Sequence, residues 1–382
     1  MSRPLKDYCE LIVDCPHSTA PDEGAGYPII RTPNVGPGYL VLEGVQRVSE
    51  ETYNKRNVRA IPQNGDLILA REAPAGNVAI INTEEKVCLG QRTVLIRPDS
   101  SKVNPFFLNY YLNAPEQRHA LLKNANGATV SHVNMPIIRE LPIEVPDLET
   151  QGEIADILSN YDELIENNRK QIKLLEEAAQ RLYKEWFVDL RFPGHETASI
   201  GPATNLPEGW NKGSLSDVVE FKRGKTITAA QTEKGSVPVV AGGLGPAYYH
   251  SRSNATGPVV TVSGSGANAG FTRLYTMDIW ASDCSYVDST MTDVLAFVYE
   301  SVNCIGKGFK HLQRGSAQPH VYPSHINGME MLIPPTRMQE AFCEFVDPII
   351  SKISLLDRQM ESSREARDRL LPKLMSGEIE VS

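Results

Sequence analysis

The chain lacks the short motifs that usually mark a catalytic or cofactor site. It has no G-x-x-x-x-G-K-[ST] loop for ATP, no paired Cys/His spacing for zinc and no serine-nucleophile elbow. It also lacks an Asn-Pro-Pro-aromatic tetrad of the amino-methyltransferases and a convincing PD-(D/E)xK cluster of the kind a fused nuclease needs. No catalytic centre is therefore expected. The six cysteines (Cys9, Cys15, Cys88, Cys284, Cys304 and Cys343) include no C-x-x-C pair, which argues against a metal site or a disulfide scaffold. No apolar run approaches the ~20 residues that cross a bilayer, and the charged N-terminus MSRPLKDYCELIVD lacks the apolar stretch of a signal peptide. These absences predict a cytoplasmic protein without a membrane partner. Basic charge is also scarce: 38 Lys and Arg against 47 Asp and Glu leave a net charge of −9. A nucleic-acid contact would have to come from local clusters rather than from the overall balance.

What is present is a long helical pattern that occurs twice. Ile154, Leu158, Tyr161, Ile165, Asn168, Ile172, Leu175, Ala179, Leu182 and Trp186 follow one another at alternating steps of four and three, within a helix read from Thr150 to Phe187. Phe342, Val346, Ile349, Ile353, Leu356, Met360, Ser363, Arg367, Leu370 and Leu374 repeat the pattern 188 places later. The period predicts two helices sharing a coiled-coil seam, rather than two amphipathic helices capping one core, because an ideal helix drifts off a strict heptad over this length. Asn168 at an inward position suits a register-fixing role, with Ser363 and Arg367 as possible equivalents. Pro372 predicts that the second helix ends or bends near Leu371.

The regions before these helices are broken by Pro and Gly and carry short strand-like runs: Tyr27–Arg31, Asp66–Ala70, Val78–Ile81 and Thr93–Arg97 in the first. One helix is read over Pro105–Lys123. The second region repeats the plan, with Val237–Ala241 matching Tyr27–Arg31 and the run from Gly257 to Val262 standing where Gly65 to Ala70 stood. Pro334 aligns with Pro146, Gln339 with Gln151 and His320 with His132. The chain thus reads as an internal duplication of β-rich domain plus long helix, an α+β architecture with pseudo-twofold character. Its boundaries are 1–148 and 192–335 for the domains, and 149–191 and 336–382 for the helices.

Gly264-Ser-Gly-Ala-Asn-Ala-Gly270 has Ala269 where a phosphate-cradling loop needs its third glycine, so it reads as a hairpin turn, as does Arg71 to Asn77. Arg71, Ser263, Ser265 and Asn268 suit base edges and suit turn backbone equally. His132 and His320 have no partner carboxylate or nucleophile at a recognisable spacing, which favours a structural or DNA-contacting role over catalysis. Basic clusters occur at Lys55, Arg56 and Arg59, at Lys222, Arg223 and Lys225, and at Lys307, Lys310, His311 and Arg314.

Taken together, Leu206-Pro-Glu-Gly-Trp210 with Leu215-Ser-Asp-Val218, the stretch from Gly65 to Ile80, Gly315-Ser-Ala-Gln-Pro-His320, and the helix frames QGEIADILSNYDELIENNRKQI and RDRLLPKLMSGEI resemble the specificity subunit (HsdS) of type I restriction–modification systems. The first half departs from the pattern by having only Leu5-Lys-Asp7 where an Leu-Pro-x-Gly-Trp opening belongs, which puts its first edge strand in question. The resemblance implies two target-recognition domains reading the two halves of a split double-stranded DNA site. It implies spacer helices forming an antiparallel coiled coil, whose seam comprises Ile154, Leu158, Ile165, Asn168, Ile172, Leu175, Leu182, Phe342, Val346, Ile349, Ile353, Leu356 and Met360. It also implies docking of two adenine-methylating modification (HsdM) subunits and of restriction (HsdR) subunits. S-adenosylmethionine, ATP and Mg2+ are then expected on those partners, with no cofactor or metal in this chain. The residues expected on the DNA-facing surface are Arg71, Ser131 and His132 in the first domain, and Lys225, Asn268, Gln318 and His320 in the second. A different class of function, a coiled-coil scaffold carrying two protein- or carbohydrate-binding β domains, fits the same duplication.

Overall fold

The computed structural model describes residues 2–123, 132–202, 204–306 and 320–381. The chain folds into two compact units, one made of Met1–Glu166 with Glu361–Ser382 and the other of Asn167–Met360, so each long helix contributes to both.

The first unit contains β1 (Arg3–Pro4), β2 (Cys9–Asp14), β3 (Tyr27–Ile30), β4 (Arg47–Val48), β5 (Leu67–Ala70), β6 (Val78–Ile80), β7 (Cys88–Leu89), β8 (Thr93–Pro98) and β9 (Pro142–Ile143). They form an antiparallel sheet in the order β2-β8-β5-β6, a mixed sheet β4-β3-β7 whose β3–β7 pair is parallel, and the pair β1–β9. β5 is buried along its whole length because both faces are covered, which is why it reads as an unbroken apolar run. Leu67 and Leu69 enter one core, with Phe107, Leu108 and Ile154; Ile68 and Ala70 enter another, with Ile30 and Ile81. Each of the leucine and isoleucine side chains contributes ~1.5–3 kcal/mol by leaving water.

The second unit contains β10 (Asn211–Ser214), β11 (Lys222–Arg223), β12 (Val237–Val240), β13 (Pro246–His250), β14 (Val259–Ser263), β15 (Thr272–Tyr275), β16 (Trp280–Ala281), β17 (Cys284–Asp288) and β18 (Glu330–Ile333). Their orders, β11-β17-β14-β15, β13-β12-β16 and β10-β18, reproduce the first unit strand for strand, including the single parallel pair. The duplication read from the sequence is thus present in the topology. The register differs by one residue from the sequence alignment: Ala70 pairs with Thr93 and Ser263 with Cys284, so Ser263, not Val262, is the counterpart of Ala70. A one-residue shift exchanges the faces of a strand, and the structure resolves it because Val260 and Val262 share a core with Phe297 while Val259 enters a separate one with Ile279. The short opening of the first unit still forms an edge pair, two residues long, and Leu5–Tyr8 makes a 3-10 turn as Leu215–Asp217 does.

The first long helix spans Leu148–Tyr183 and passes into a π turn over Lys184–Val188. Its start is fixed by Asp147, whose carboxylate accepts from the backbone N–H and hydroxyl of Thr150. The second spans Thr336–Ser376 and corrects the expected stop at Pro372. A proline removes one backbone hydrogen bond, but Leu370, Leu371, Leu374 and Met375 pack into the first unit's core on either side of it and carry the helix on. The helix expected over Pro105–Lys123 is instead two, Pro105–Asn113 and Pro115–Lys123, because Ala114 before Pro115 takes an extended ψ of 143°.

Among the seam positions Ile154, Leu158, Ile165, Asn168, Phe342, Val346, Leu356 and Met360 are buried, and Ile172, Leu175, Leu182, Ile349 and Ile353 are half-buried. In the first unit Ile154 and Leu158 of the first helix share a core with Leu374 near the end of the second. In the second unit Tyr183 and Trp186 share one with Phe342 and Val346 near its start, so the helices run antiparallel within each unit. Buried Asn168 donates to the side-chain oxygen of Gln359 at 3.2 Å. Arg367 pairs with Asp162, which also accepts from the Tyr110 hydroxyl at 2.6 Å. Polar contacts of this kind lower seam stability and fix register.

Candidate nucleic-acid interface

The same junction recurs in both units: the turn after β5 or β14, crossed by the segment that follows His132 or His320. In the first unit β5 and β6 are joined by the turn from Arg71 to Asn77, and the Val133 N–H donates to the Arg71 carbonyl at 3.0 Å. The Arg71 side chain is only 8% exposed. Its Nε donates to the Val133 carbonyl (2.8 Å), one terminal nitrogen to Asp14 Oδ2 (2.7 Å) and the other to His132 Nε2 (2.8 Å). A guanidinium has no acceptor, so His132 Nε2 must accept and its proton must sit on Nδ1. Nδ1 lies 2.9 Å from Glu72 Oε1, while Glu72 Oε2 pairs with Arg92 at 2.6 Å. Both nitrogens of His132 are thereby occupied, and neither is available as a base.

Arg71 and His132 are thus brought together, but the guanidinium of Arg71 is committed inside the protein rather than offered to a ligand. Spacing could not pair Glu72 with His132 or Asp14 with Arg71, because Glu72 arrives from the turn itself and Asp14 from another strand. Among the basic residues, buried Arg56 donates to the carbonyls of Pro16, Ser18 and Leu89, and Arg59 to those of Asp14 and Cys15. These residues fasten a loop.

In the second unit the loop after β14 leads through a 3-10 turn, Gly266–Asn268, into β15, the hairpin read from sequence. The Val321 N–H donates to the Gly264 carbonyl at 3.0 Å, as Val133 does to Arg71. Gly264 N–H donates to the Asp283 carbonyl as Arg71 does to Arg92, and Gly224 N–H to Cys284 as Cys15 does to Thr93. These bonds equate Arg71 with Gly264, Arg92 with Asp283 and Asp14 with Arg223. The frame is kept, two of the charges are reversed and the third, that of Arg71, is lost. With glycine at 264 there is no arginine to hold His320, which is exposed and stacks on Tyr322 with ring centroids 5.9 Å apart and planes 15° apart. Arg223 lies over the Tyr322 ring, 5.8 Å from its centroid, and 3.8 Å from Asp283. Asp283 in turn accepts from the Ser265 hydroxyl.

Lys225 is exposed just beyond Arg223, and Asn268 is half-buried in the 3-10 turn. Among the described residues, no hydrogen bond or ion pair joins either side chain to the Tyr322 group. Ser131 and Gln318 lie outside the described residues, as do Lys307, Lys310, His311 and Arg314. Tyr322 and Asp283 were not singled out from sequence. The available signal was the His320-x-Tyr322-Pro323 order, where the first half has His132-x-Asn134.

The chain matches the model of the type I restriction modification DNA specificity domain over residues 1–177 and 207–362. It belongs to that family. Its relatives include the type I restriction enzyme MjaIX specificity subunit of Methanocaldococcus jannaschii, 26% identical over 89% of this chain and 83% of that one. The putative type I restriction enzyme MjaX specificity subunit of the same organism is 24% identical over 99% and 93%. The crystal structure of a type I restriction–modification system S subunit from M. genitalium has the same fold, with a TM-score of 0.61 at 15% identity over 98% of this chain and 95% of that one. Members of this family are non-catalytic DNA-recognition subunits of restriction–modification systems, and this chain is one of them. No helix among the described residues is long and apolar enough to cross a membrane.

Proposed function

We propose that each unit reads one half of a bipartite double-stranded DNA target, and that the two long helices act as the spacer between the readers. The chain would dock two modification subunits, which supply S-adenosylmethionine-dependent adenine methylation, and restriction subunits, which use ATP and Mg2+. The observation that carries this reading is the repeated frame with altered charges: Asp14, Arg71 and Arg92 in one unit stand where Arg223, Gly264 and Asp283 stand in the other. A common scaffold presenting different donors and acceptors at equivalent positions suits the recognition of two different short sequences, because base edges are told apart by their donor and acceptor pattern.

Within this reading His320, Lys225 and Asn268 face DNA in the second unit. Ser131, Gln318 and the basic residues from Lys307 to Arg314 belong to segments that follow or precede the same junctions. Arg71 acts by positioning His132 and the turn. Mapping N6-methyladenine in a host carrying the complete system tests the proposal: methylation at a split sequence with an unread gap is expected. Methylation at one uninterrupted sequence would contradict it.

A further inference from the structure

Arg223 ends an edge strand and is followed by a glycine that its position requires. A Cβ on Gly224 would come within 2.4 Å of the Ser282 carbonyl oxygen and 2.6 Å of that of Ala281. Only glycine lets the chain hug the loop before β17, and that close approach fixes where Arg223 leaves the sheet. Its side chain is 59% exposed, with the Tyr322 ring centroid 5.8 Å and the Asp283 carboxylate 3.8 Å away. Tyr322 is itself held, stacked on His320 and packed edge-on against His325 at 5.5 Å. An arginine that serves only to neutralise phosphate gains nothing from an adjacent carboxylate, which cancels the charge that phosphate attracts. A carboxylate and an aromatic face beside it bias the direction of a planar five-donor fork, and direction is what recognition of a base edge needs.

We infer that Arg223 is a specificity-determining residue that reads a guanine in the half-site of the second unit, with Tyr322 and Asp283 as its positioning residues. This rests on the DNA-recognition reading above. The guanidinium would donate two hydrogen bonds to guanine O6 and N7, the pair of major-groove acceptors that matches its fork.

The test uses the full chain in complex with the modification subunits encoded with it, comparing the wild type with Arg223→Lys, Arg223→Ala and Tyr322→Phe by mapping methylated adenines and by DNA binding at several salt concentrations. The wild-type half-site assigned to residues 192–335 is expected to contain a guanine. Arg223→Lys keeps the charge and loses the fork, so discrimination at that one position should fall on the order of ten- to a hundredfold, with the salt dependence of binding unchanged. Tyr322→Phe keeps the ring and should retain the wild-type motif. Uniform weakening on all sequences with a shallower salt slope in Arg223→Ala would make Arg223 a phosphate contact and overturn the inference, as would a half-site without guanine. A wild-type complex that methylates a bipartite site, together with an unchanged motif in Arg223→Lys, defeats this inference alone. A wild-type complex that methylates no bipartite site defeats the specificity reading beneath it as well.

Discussion

The guanidinium of Arg71 donates to Nε2 of His132 across 2.8 Å, and the same group grips Asp14 at 2.7 Å. Arg71 and Asp14 have side chains only 8% and 15% exposed, so removing one partner leaves an uncompensated charge in the interior. Arg71→Ala is expected to destabilise the first unit by about 3–5 kcal/mol, read by denaturant unfolding. A loss below ~1 kcal/mol would show that the network is dispensable and that Arg71 belongs with the ligand-facing residues after all.

Glu300 gives the second unit a pH dependence of its own. It is 3% exposed, with Oε2 lacking a hydrogen-bond partner. Burial and the nearby Glu176 carboxylate push its carboxyl up to about 8. A carboxyl whose pKa is raised by folding is protonated in the native state while its unfolded counterpart ionises near 4.5, so stability is lost as pH rises from there toward 8. Glu300→Gln should therefore raise the unfolding free energy at pH 7.5 by on the order of a few kcal/mol, seen as a higher thermal midpoint. The gain should vanish near pH 4.5. An equal gain at both pH values would point to packing instead.

How far this molecule was legible in its sequence follows from the range of the forces involved. Gln151 donates to the Pro146 carbonyl at 2.8 Å and Gln339 to the Pro334 carbonyl at 2.9 Å. These pairs are local in the chain and repeat with the duplication, so matching letters already paired them. The seam was equally legible, since heptad spacing is a property of one helix. The Asp14–Arg71–His132–Glu72 network was not, because it joins residues up to 61 positions apart across strands whose pairing no local pattern fixes. Tyr322 escaped for a related reason. A tyrosine becomes informative only when its neighbours in space, Arg223 and His320, are known. Pro372 misled because propensity describes a lone helix, and Leu374 is buried in a core.

Four of the cysteines should be unreactive while the protein is folded. Burial raises the thiols of Cys9, Cys88 and Cys284 to about 12 and that of Cys343 to about 11. A thiolate is the reacting species, so at pH 8 these four should resist iodoacetamide over hours and be alkylated within minutes in urea. Peptide mass mapping decides it; rapid native labelling of Cys88 or Cys284 would contradict the packing described.

The proposed spacer role makes a quantitative expectation. One heptad inserted in each long helix preserves the seam and adds up to ~10 Å. The unread gap in the methylated sequence should lengthen by up to ~3 base pairs, at ~3.4 Å per pair, while both half-sequences stay the same. An active complex with an unchanged gap would remove the helices from the role of spacer.

The central claim is that two separate readers share one scaffold. It is tested most directly by exchanging residues 10–145 for the corresponding region of a relative with a different target and mapping N6-methyladenine across the host genome. One half of the methylated sequence should change to that of the donor, with the other half and the gap retained. If both halves changed together, or if neither did, the two units would not be independent readers and the account would fail.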